Sequence, residues 1–218
     1  MHDDVMPAEF WDTLYSERDQ YWTGEPNASL VREVSDLVPG RALDLGCGEG
    51  GDAIWLAGRG WRVTAVDISQ VALERAARRA AETGVADLID WELHDLGHDF
   101  PAGEFDLVTA AFLHSPTDLP RERILRRAAE AVAPGGTLLI VGHGAAHWQD
   151  EQGERHEHSG AGHADLALPT PGEVLRSLDL PDAQWKVLVS EEYEQIHTAQ
   201  DGRQLHRTNN TLKLARIT

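Results

Sequence analysis

The sequence predicts a single α/β domain built on a mainly parallel sheet with helices on its faces. Short apolar runs rich in β-branched residues alternate with alanine-rich helical stretches, the rhythm of repeated β-α units. The last two apolar runs flank Asp201-Gly202, a dipeptide suited to a tight hairpin, so the sheet is expected to finish with an antiparallel pair. At 218 residues the chain can bury one sizeable core and falls short of two ordinary domains.

The elements follow in order. Pro7–Gln20 reads as a helix in which Phe10 with Leu14, and Trp11 with Tyr15, are i,i+4 pairs. A second helix starts at Ala28 with Asn27 as its cap, and Leu30, Val31, Val34, Leu37 and Val38 share one face. Strands are expected over Ala42–Leu45, Trp61–Val66, Leu88–Leu93, Phe105–Ala110 and Thr137–Val141, the first three apolar enough to be covered on both sides. A helix over Ser69–Thr83 begins at a serine cap and stops at Gly84. Another runs from about Asp118 to Ala133 and gives way to Pro134-Gly135-Gly136. Thr170-Pro171-Gly172-Glu173 has capping-box spacing, and Trp185–His197 and Leu205–Ile217 form the hairpin arms.

Composition excludes several function classes. With 19 basic and 37 acidic residues the formal charge is −18, which opposes binding to nucleic-acid phosphates or to an anionic membrane surface. No apolar run approaches the ~20 residues that span a bilayer. The opening MHDDVMPAEF lacks the basic and apolar regions of a signal peptide, so a cytoplasmic protein is expected. One cysteine, Cys47, excludes an internal disulfide and a multi-thiolate metal site, and reads as a small side chain in a crowded turn.

The first strand runs directly into Asp44-Leu45-Gly46-Cys47-Gly48-Glu49-Gly50-Gly51, and Asp67 stands at the end of the second strand, 21 residues after Gly46. Gly46, Gly48 and Gly51 satisfy the dinucleotide fingerprint literally, with Asp67 as a ribose-binding acid or, more blandly, a helix cap. The neighbouring acids weigh against a pyrophosphate, because Glu49, Asp44 and Asp52 would repel it. They suit a phosphate-free nucleoside carrying a sulfonium and an ammonium, which describes S-adenosylmethionine. An NAD-dependent oxidoreductase remains the alternative on the glycines alone. A protein that binds the sulfonium nucleoside without transferring methyl is another.

Residues 42–50, Ala-Leu-Asp-Leu-Gly-Cys-Gly-Glu-Gly, resemble the first motif of class I S-adenosylmethionine-dependent methyltransferases. Further matches come in the family's order. They are Val66-Asp67-Ile68-Ser69 for the ribose turn, His94-Asp95-Leu96 for the adenine turn, Phe105-Asp106-Leu107-Val108 for strand four, and Val132 to Leu138 for the turn into strand five. The opening, with Phe10-Trp11-Asp12 and Trp22 to Asn27, resembles the small-molecule branch that includes thiopurine and tellurite-resistance-type methyltransferases. The resemblance implies a Rossmann-like, doubly wound seven-stranded sheet of order 3-2-1-4-5-7-6, with strand seven antiparallel and an N-terminal helical lid. It implies cofactor contacts from Asp44, Gly46, Gly48, Asp67, Ile68, Asp95, Leu96 and Ala111, with Trp22 in the lid, and S-adenosylhomocysteine as product. A single methyltransferase domain then occupies 1–218: lid 1–40, cofactor-binding core 41–141, His-rich loop 142–169, and C-terminal helix and hairpin 170–218.

Two histidines follow strands whose carboxyl ends should face the cleft, His114 after strand four and His143 after strand five. Either can bind or deprotonate a small-molecule methyl acceptor whose nucleophile is S, N, O or halide; a loop hydrogen bond is the plainer role. The loop 142–169 also holds His147, His156, His158 and His163. His156, His158 and His163 match no defined zinc spacing, so a solvated substrate-side loop without metal is expected.

Overall fold

A computed structural model describes residues 6–144, 148–149, 155–156, 168–198 and 204–217. Five strands form the parallel part of the sheet: β1 (Arg41–Leu45), β2 (Arg62–Asp67), β3 (Ile89–Leu93), β4 (Phe105–Ala111) and β5 (Val132–His143). Two-residue strands β6 (Trp148–Gln149) and β7 (Arg155–His156) follow, then the long arms β8 (Trp185–Thr198) and β9 (Gln204–Arg216). The order is β3-β2-β1-β4-β5-β9, with β8 on the far side of β9 and both arms antiparallel to their neighbours. Counting β8 and β9 as strands six and seven, this is the expected 3-2-1-4-5-7-6. The short β6 and β7 are additional: Gln149 pairs with His206 beyond the end of the β5–β9 ladder.

Among the described residues six α-helices accompany the sheet: α1 (Pro7–Ser16), α2 (Ala28–Val34), α3 (Gly51–Gly58), α4 (Gln70–Glu82), α5 (Arg121–Glu130) and α6 (Pro171–Leu178). Two buried clusters lie on opposite faces. Leu43, Leu45, Val108, Leu138 and Ile140 meet Ile124 and Leu125 of α5 and Val174 and Leu178 of α6. Ala42, Val63, Leu107, Leu139 and Val141 meet Leu30 and Val34 of α2 and Ala53 and Leu56 of α3. The alternation of adjacent strand residues between faces produces both clusters from one apolar run.

The local chemistry explains the boundaries. Asn27 accepts from the amides of Ser29 and Leu30, Ser69 from that of Ala72, and Thr170 with Glu173 completes a capping box. Other details depart from expectation. The first helix stops at Ser16, and Val38 is 86% exposed because α2 ends before it can join the buried stripe. Helix α5 spans less than Asp118 to Ala133. Val132 already pairs with Phe105, and the register then jumps to Leu107 opposite Thr137, so Pro134-Gly135-Gly136 is looped out within β5. Proline disfavours a helical residue before it and cannot donate to a ladder, which accounts for both changes. Strand β3 buries only Ile89 and leaves Leu93 54% exposed, because it is the sheet edge rather than a doubly covered strand. The Asp201-Gly202 turn lies outside the described residues.

Candidate functional site

At the carboxyl end of β1 the chain turns through Gly46, Gly48 and Gly50, with φ of 69°, 53° and 79°. These left-handed values are what glycine tolerates without strain. The amides of Gly46 and Cys47 both donate to the Val66 carbonyl at 2.9 Å, tying the loop to β2. Asp67, 8% exposed, accepts from the amide of Gly48 at 2.8 Å and that of Ser69 at 2.9 Å, so one carboxylate joins the glycine loop to the start of α4. Ser69, rather than Asp67, caps that helix. Burial raises the Asp67 carboxyl above its ordinary value despite these bonds. Half-buried Ile68 sits between them.

Asp44 lies one residue before the end of β1 and is 2% exposed. Its register partner on β4 is Thr109, whose hydroxyl donates to Oδ1 at 2.9 Å, whereas Oδ2 is buried with no hydrogen-bond partner. Burial, then the nearby Asp52 and Asp67, push the Asp44 carboxyl up to about 8. Burial pushes Asp52 up to about 6, although the Asn27 amide donates to it at 2.6 Å. A buried carboxylate oxygen without a donor is costly. A ligand ammonium would supply that donor and the opposite charge. The acidic pocket therefore fits a cationic nucleoside and disfavours a pyrophosphate. Cys47 fits its bland reading: burial pushes its thiol up, the reverse of an activated nucleophile.

The N-terminal segment closes over this loop. On α1, Asp12 accepts from the Ser69 hydroxyl at 2.6 Å and the Val71 amide at 3.2 Å, placing a carboxylate at the start of α4. Trp11 donates from its indole to Ser115 Oγ at 3.2 Å. Tyr15 is 4% exposed, and its hydroxyl accepts from the Trp22 indole at 3.1 Å. A Cβ on Gly48 would come within 2.9 Å of that hydroxyl, so Tyr15 lies directly on the glycine loop. Trp22 itself is 47% exposed. Glu49 departs from the sequence reading. Its carboxylate is not an open charge facing ligand but accepts from the amides of Tyr21 and Trp22 and pairs with Arg75 at 3.0 Å. Arg79 ties the same region together by donating to the carbonyls of Glu49 and Gly24.

After β3, the Asp95 carboxylate accepts from the Gly97 amide at 2.9 Å and pairs with His98, holding its own turn. Leu96 is 6% exposed and packs in the α5-side core. After β4, half-buried Ala111 leads into Phe112, a non-glycine residue at φ 52°. That conformation is held by the Phe112 amide donating to the Val141 carbonyl and the His114 amide donating to the Phe112 carbonyl, both at 2.8 Å. The turn brings the two predicted histidines together from separate strands: their rings stack at 5.8 Å, and His143 stacks on Phe112 at 4.2 Å. His143 Nδ1 lies 2.9 Å from Oδ1 of Asn209, its register partner on β9.

Among the described residues no cluster of three or more potential ligands could hold a metal ion. His147, His158 and His163 lie outside the described residues, as does the side chain of His156, and the candidate trio with them. Sequence reasoning missed Tyr15, Asp12, the Glu49–Arg75 pair, Thr109, Phe112 and Asn209. Thr109 was findable once β1 and β4 were paired in register. The others depend on how distant segments pack and carry no local signal.

Residues 42–136 match a family described as a methyltransferase domain. A probable chloroplastic tocopherol O-methyltransferase of Oryza sativa is 35% identical over 116 residues, 52% of this chain and 32% of that protein. A 27-O-demethylrifamycin SV methyltransferase of Amycolatopsis mediterranei is 33% identical over 148 residues, 61% of this chain and 54% of that protein. The chain thus spans between a third and about half of these curated relatives. The N-methyltransferase NodS of Bradyrhizobium japonicum, solved with S-adenosylhomocysteine, superposes with a TM-score of 0.63 at 18% identity, over 98% of this chain and 99% of that one. These likenesses do not favour the oxidoreductase alternative. Residues 42–136 are thus similar to a methyltransferase domain, and the sheet that carries the glycine turn has the fold of NodS.

Proposed function

We propose that this chain is an enzyme that transfers a methyl group from S-adenosylmethionine to a small-molecule acceptor held beyond the carboxyl ends of β4 and β5. The observation that carries this reading is the buried, donor-less Oδ2 of Asp44 beneath a glycine loop and an aromatic lid. In this reading Asp44 faces the ammonium, Gly46 and Gly48 let the backbone approach the nucleoside, and Asp67 with Ile68 borders the ribose. Asp95 and Leu96 flank the adenine, Ala111 lies beside the methionine part, and Trp22 completes the rim. When bound, the cofactor supplies a methyl carbon open to in-line displacement.

The chain's share is positioning and exclusion of water. Holding a nucleophile at about 3–3.5 Å in line can contribute roughly 7–11 kcal/mol. The lid of Trp11, Tyr15 and Trp22 shuts the site, and His114 and His143 border the acceptor. Similarity to a probable tocopherol O-methyltransferase supports an acceptor that begins as a hydroxyl. The acidic surface and the absence, among the described residues, of a helix long and apolar enough to cross a membrane accord with a small cytoplasmic substrate. The single-domain division into lid, core, His-rich loop and hairpin belongs to the same reading.

Calorimetric titration with S-adenosylmethionine, S-adenosylhomocysteine and NAD tests it. Micromolar binding of the two sulfur nucleosides and none of NAD is expected; tight NAD binding without them overturns the reading.

A further inference from the structure

Tyr15 brings a buried phenol to the glycine turn with its own proton unspent. Its hydroxyl lies 3.1 Å from the Trp22 indole nitrogen. An indole N–H only donates, so this bond uses an oxygen lone pair and leaves the phenol proton over. Among the described residues that O–H has no acceptor. Burial, then Asp67, hold the phenol above its ordinary value, so it stays protonated. The oxygen stands where a Cβ on Gly48 would be, 2.9 Å from that position. Residues 44–48 therefore bring together a buried acceptor that lacks a donor, Asp44 Oδ2, and a buried donor that lacks an acceptor. An ammonium only donates and a carboxylate only accepts, and an α-amino acid carries both on one carbon. The cations bonded to this loop are engaged, Arg75 on the Glu49 carboxylate and Arg79 on the carbonyls of Glu49 and Gly24. A neutral hydroxyl is the donor left for a carboxylate here.

We propose that the Tyr15 hydroxyl donates to the α-carboxylate of the bound cofactor while Asp44 takes the ammonium on the same carbon. This rests on the methyltransferase reading and deepens it, because the two side chains together select the amino-acid end of the ligand. Tyr15 belongs to α1, and its oxygen also accepts from Trp22, so a ligand carboxylate ties both segments to the glycine turn. A nucleoside that lacks the carboxylate leaves that bond unmade.

Calorimetry tests this with S-adenosylhomocysteine and S-adenosyl-3-thiopropylamine, the same molecule without its carboxylate. The native protein is expected to bind the first more tightly. Tyr15→Phe should weaken S-adenosylhomocysteine by roughly ten- to a hundredfold, the range for a hydrogen bond to a charged group, and leave the amine unchanged. Equal weakening of both ligands, which a loss of packing alone produces, overturns the proposal, and so does no weakening of either. Should Tyr15→Phe fail to fold, 19F spectra of native protein labelled with 3-fluorotyrosine decide. Of the three tyrosines, Tyr15 gives the resonance kept in both Tyr21→Phe and Tyr193→Phe. It is expected to move further with S-adenosylhomocysteine than with the amine, and equal shifts overturn the proposal. Native protein that binds neither ligand overturns the methyltransferase reading and this proposal with it. Binding of both with no carboxylate preference overturns this proposal alone.

Discussion

Thr109 and Asp44 are register partners on adjacent parallel strands, and the threonine hydroxyl satisfies one carboxylate oxygen while leaving the other bare. Parallel pairing puts the two side chains on the same face of the sheet, so the half-satisfied acid follows from strand register. Its carboxyl sits at about 8 in the ligand-free protein, against an unfolded value near 4. A folded pKa above the unfolded one means that the folded state holds the extra proton. The stability contributed by this group is full below pH ~4 and is lost as pH rises through 8. Asp52, raised to about 6, adds to the same trend. Thermal denaturation should therefore show a falling Tm between pH 5 and 8.5. The limiting slope is about 1.4 kcal/mol per pH unit for each group titrating. Asp44→Asn should flatten that fall and weaken S-adenosylmethionine binding. A bound ammonium favours the ionised acid, so calorimetry at pH 7 in buffers of different ionisation enthalpy should also detect proton release on binding.

Helix α1 is pinned to the start of α4 by the Asp12 carboxylate. Asp12→Ala removes both the Ser69 and Val71 bonds, and hydrogen bonds to a charged group are worth about 1.5–3 kcal/mol. Most of that should appear as faster amide exchange over residues 7–16 rather than as global unfolding, because the sheet does not depend on it. Unchanged exchange in α1 would contradict this role for Asp12.

Glu49 and Arg75 form a nearly enclosed pair, with side chains 3% and 14% exposed. Glu49→Gln can still accept from the Tyr21 and Trp22 amides but strands the guanidinium. A loss of about 3 kcal/mol in chemical denaturation is expected, at the lower end for breaking a buried pair. Adding Arg75→Met should recover part of it, a non-additivity that a double-mutant cycle reads directly.

Gly48→Ala carries two penalties. The left-handed backbone costs roughly 1–2 kcal/mol with a Cβ, and the new methyl stands 2.9 Å from the Tyr15 hydroxyl. Pairing it with Tyr15→Phe removes the oxygen it meets. The double variant should regain lid closure, measured by Trp22 fluorescence, while retaining the backbone cost.

On the acceptor side, His143→Ala should lower turnover by ~10²–10⁴-fold at little change in S-adenosylmethionine affinity. His114→Ala, through its stack with His143, should cost less. Full turnover in both variants would remove the histidines from the chemistry.

The sheet and the glycine turn after β1 were legible because they are written locally. The glycine run demands positive φ, Asn27, Ser69 and Thr170 are recognisable caps, and β-branched runs mark the strands. Errors fell where tertiary context decides. Periodicity kept Val38 on a buried face that α2 is too short to provide. The apolar run at β3 could not announce its edge position. The sequence reading took Glu49 as a charge awaiting a ligand, because Arg75 is 26 residues away and meets it only after α4 folds back along the sheet. Asn209 was invisible for the same reason: its meaning depends on the pairing of β9 with β5.

Helix α2 lies early in the sequence but is secured by elements far downstream. Ser29 donates to the Tyr193 hydroxyl at 2.9 Å, and Lys213 donates to the Glu33 carbonyl at 2.6 Å. During synthesis these contacts of α2 must therefore wait until the hairpin arms have emerged and paired. Contacts of such sequence separation are slow to form and leave apolar surface open meanwhile. Helix α2 is thus fastened late in folding, in part by the strand that also carries Asn209.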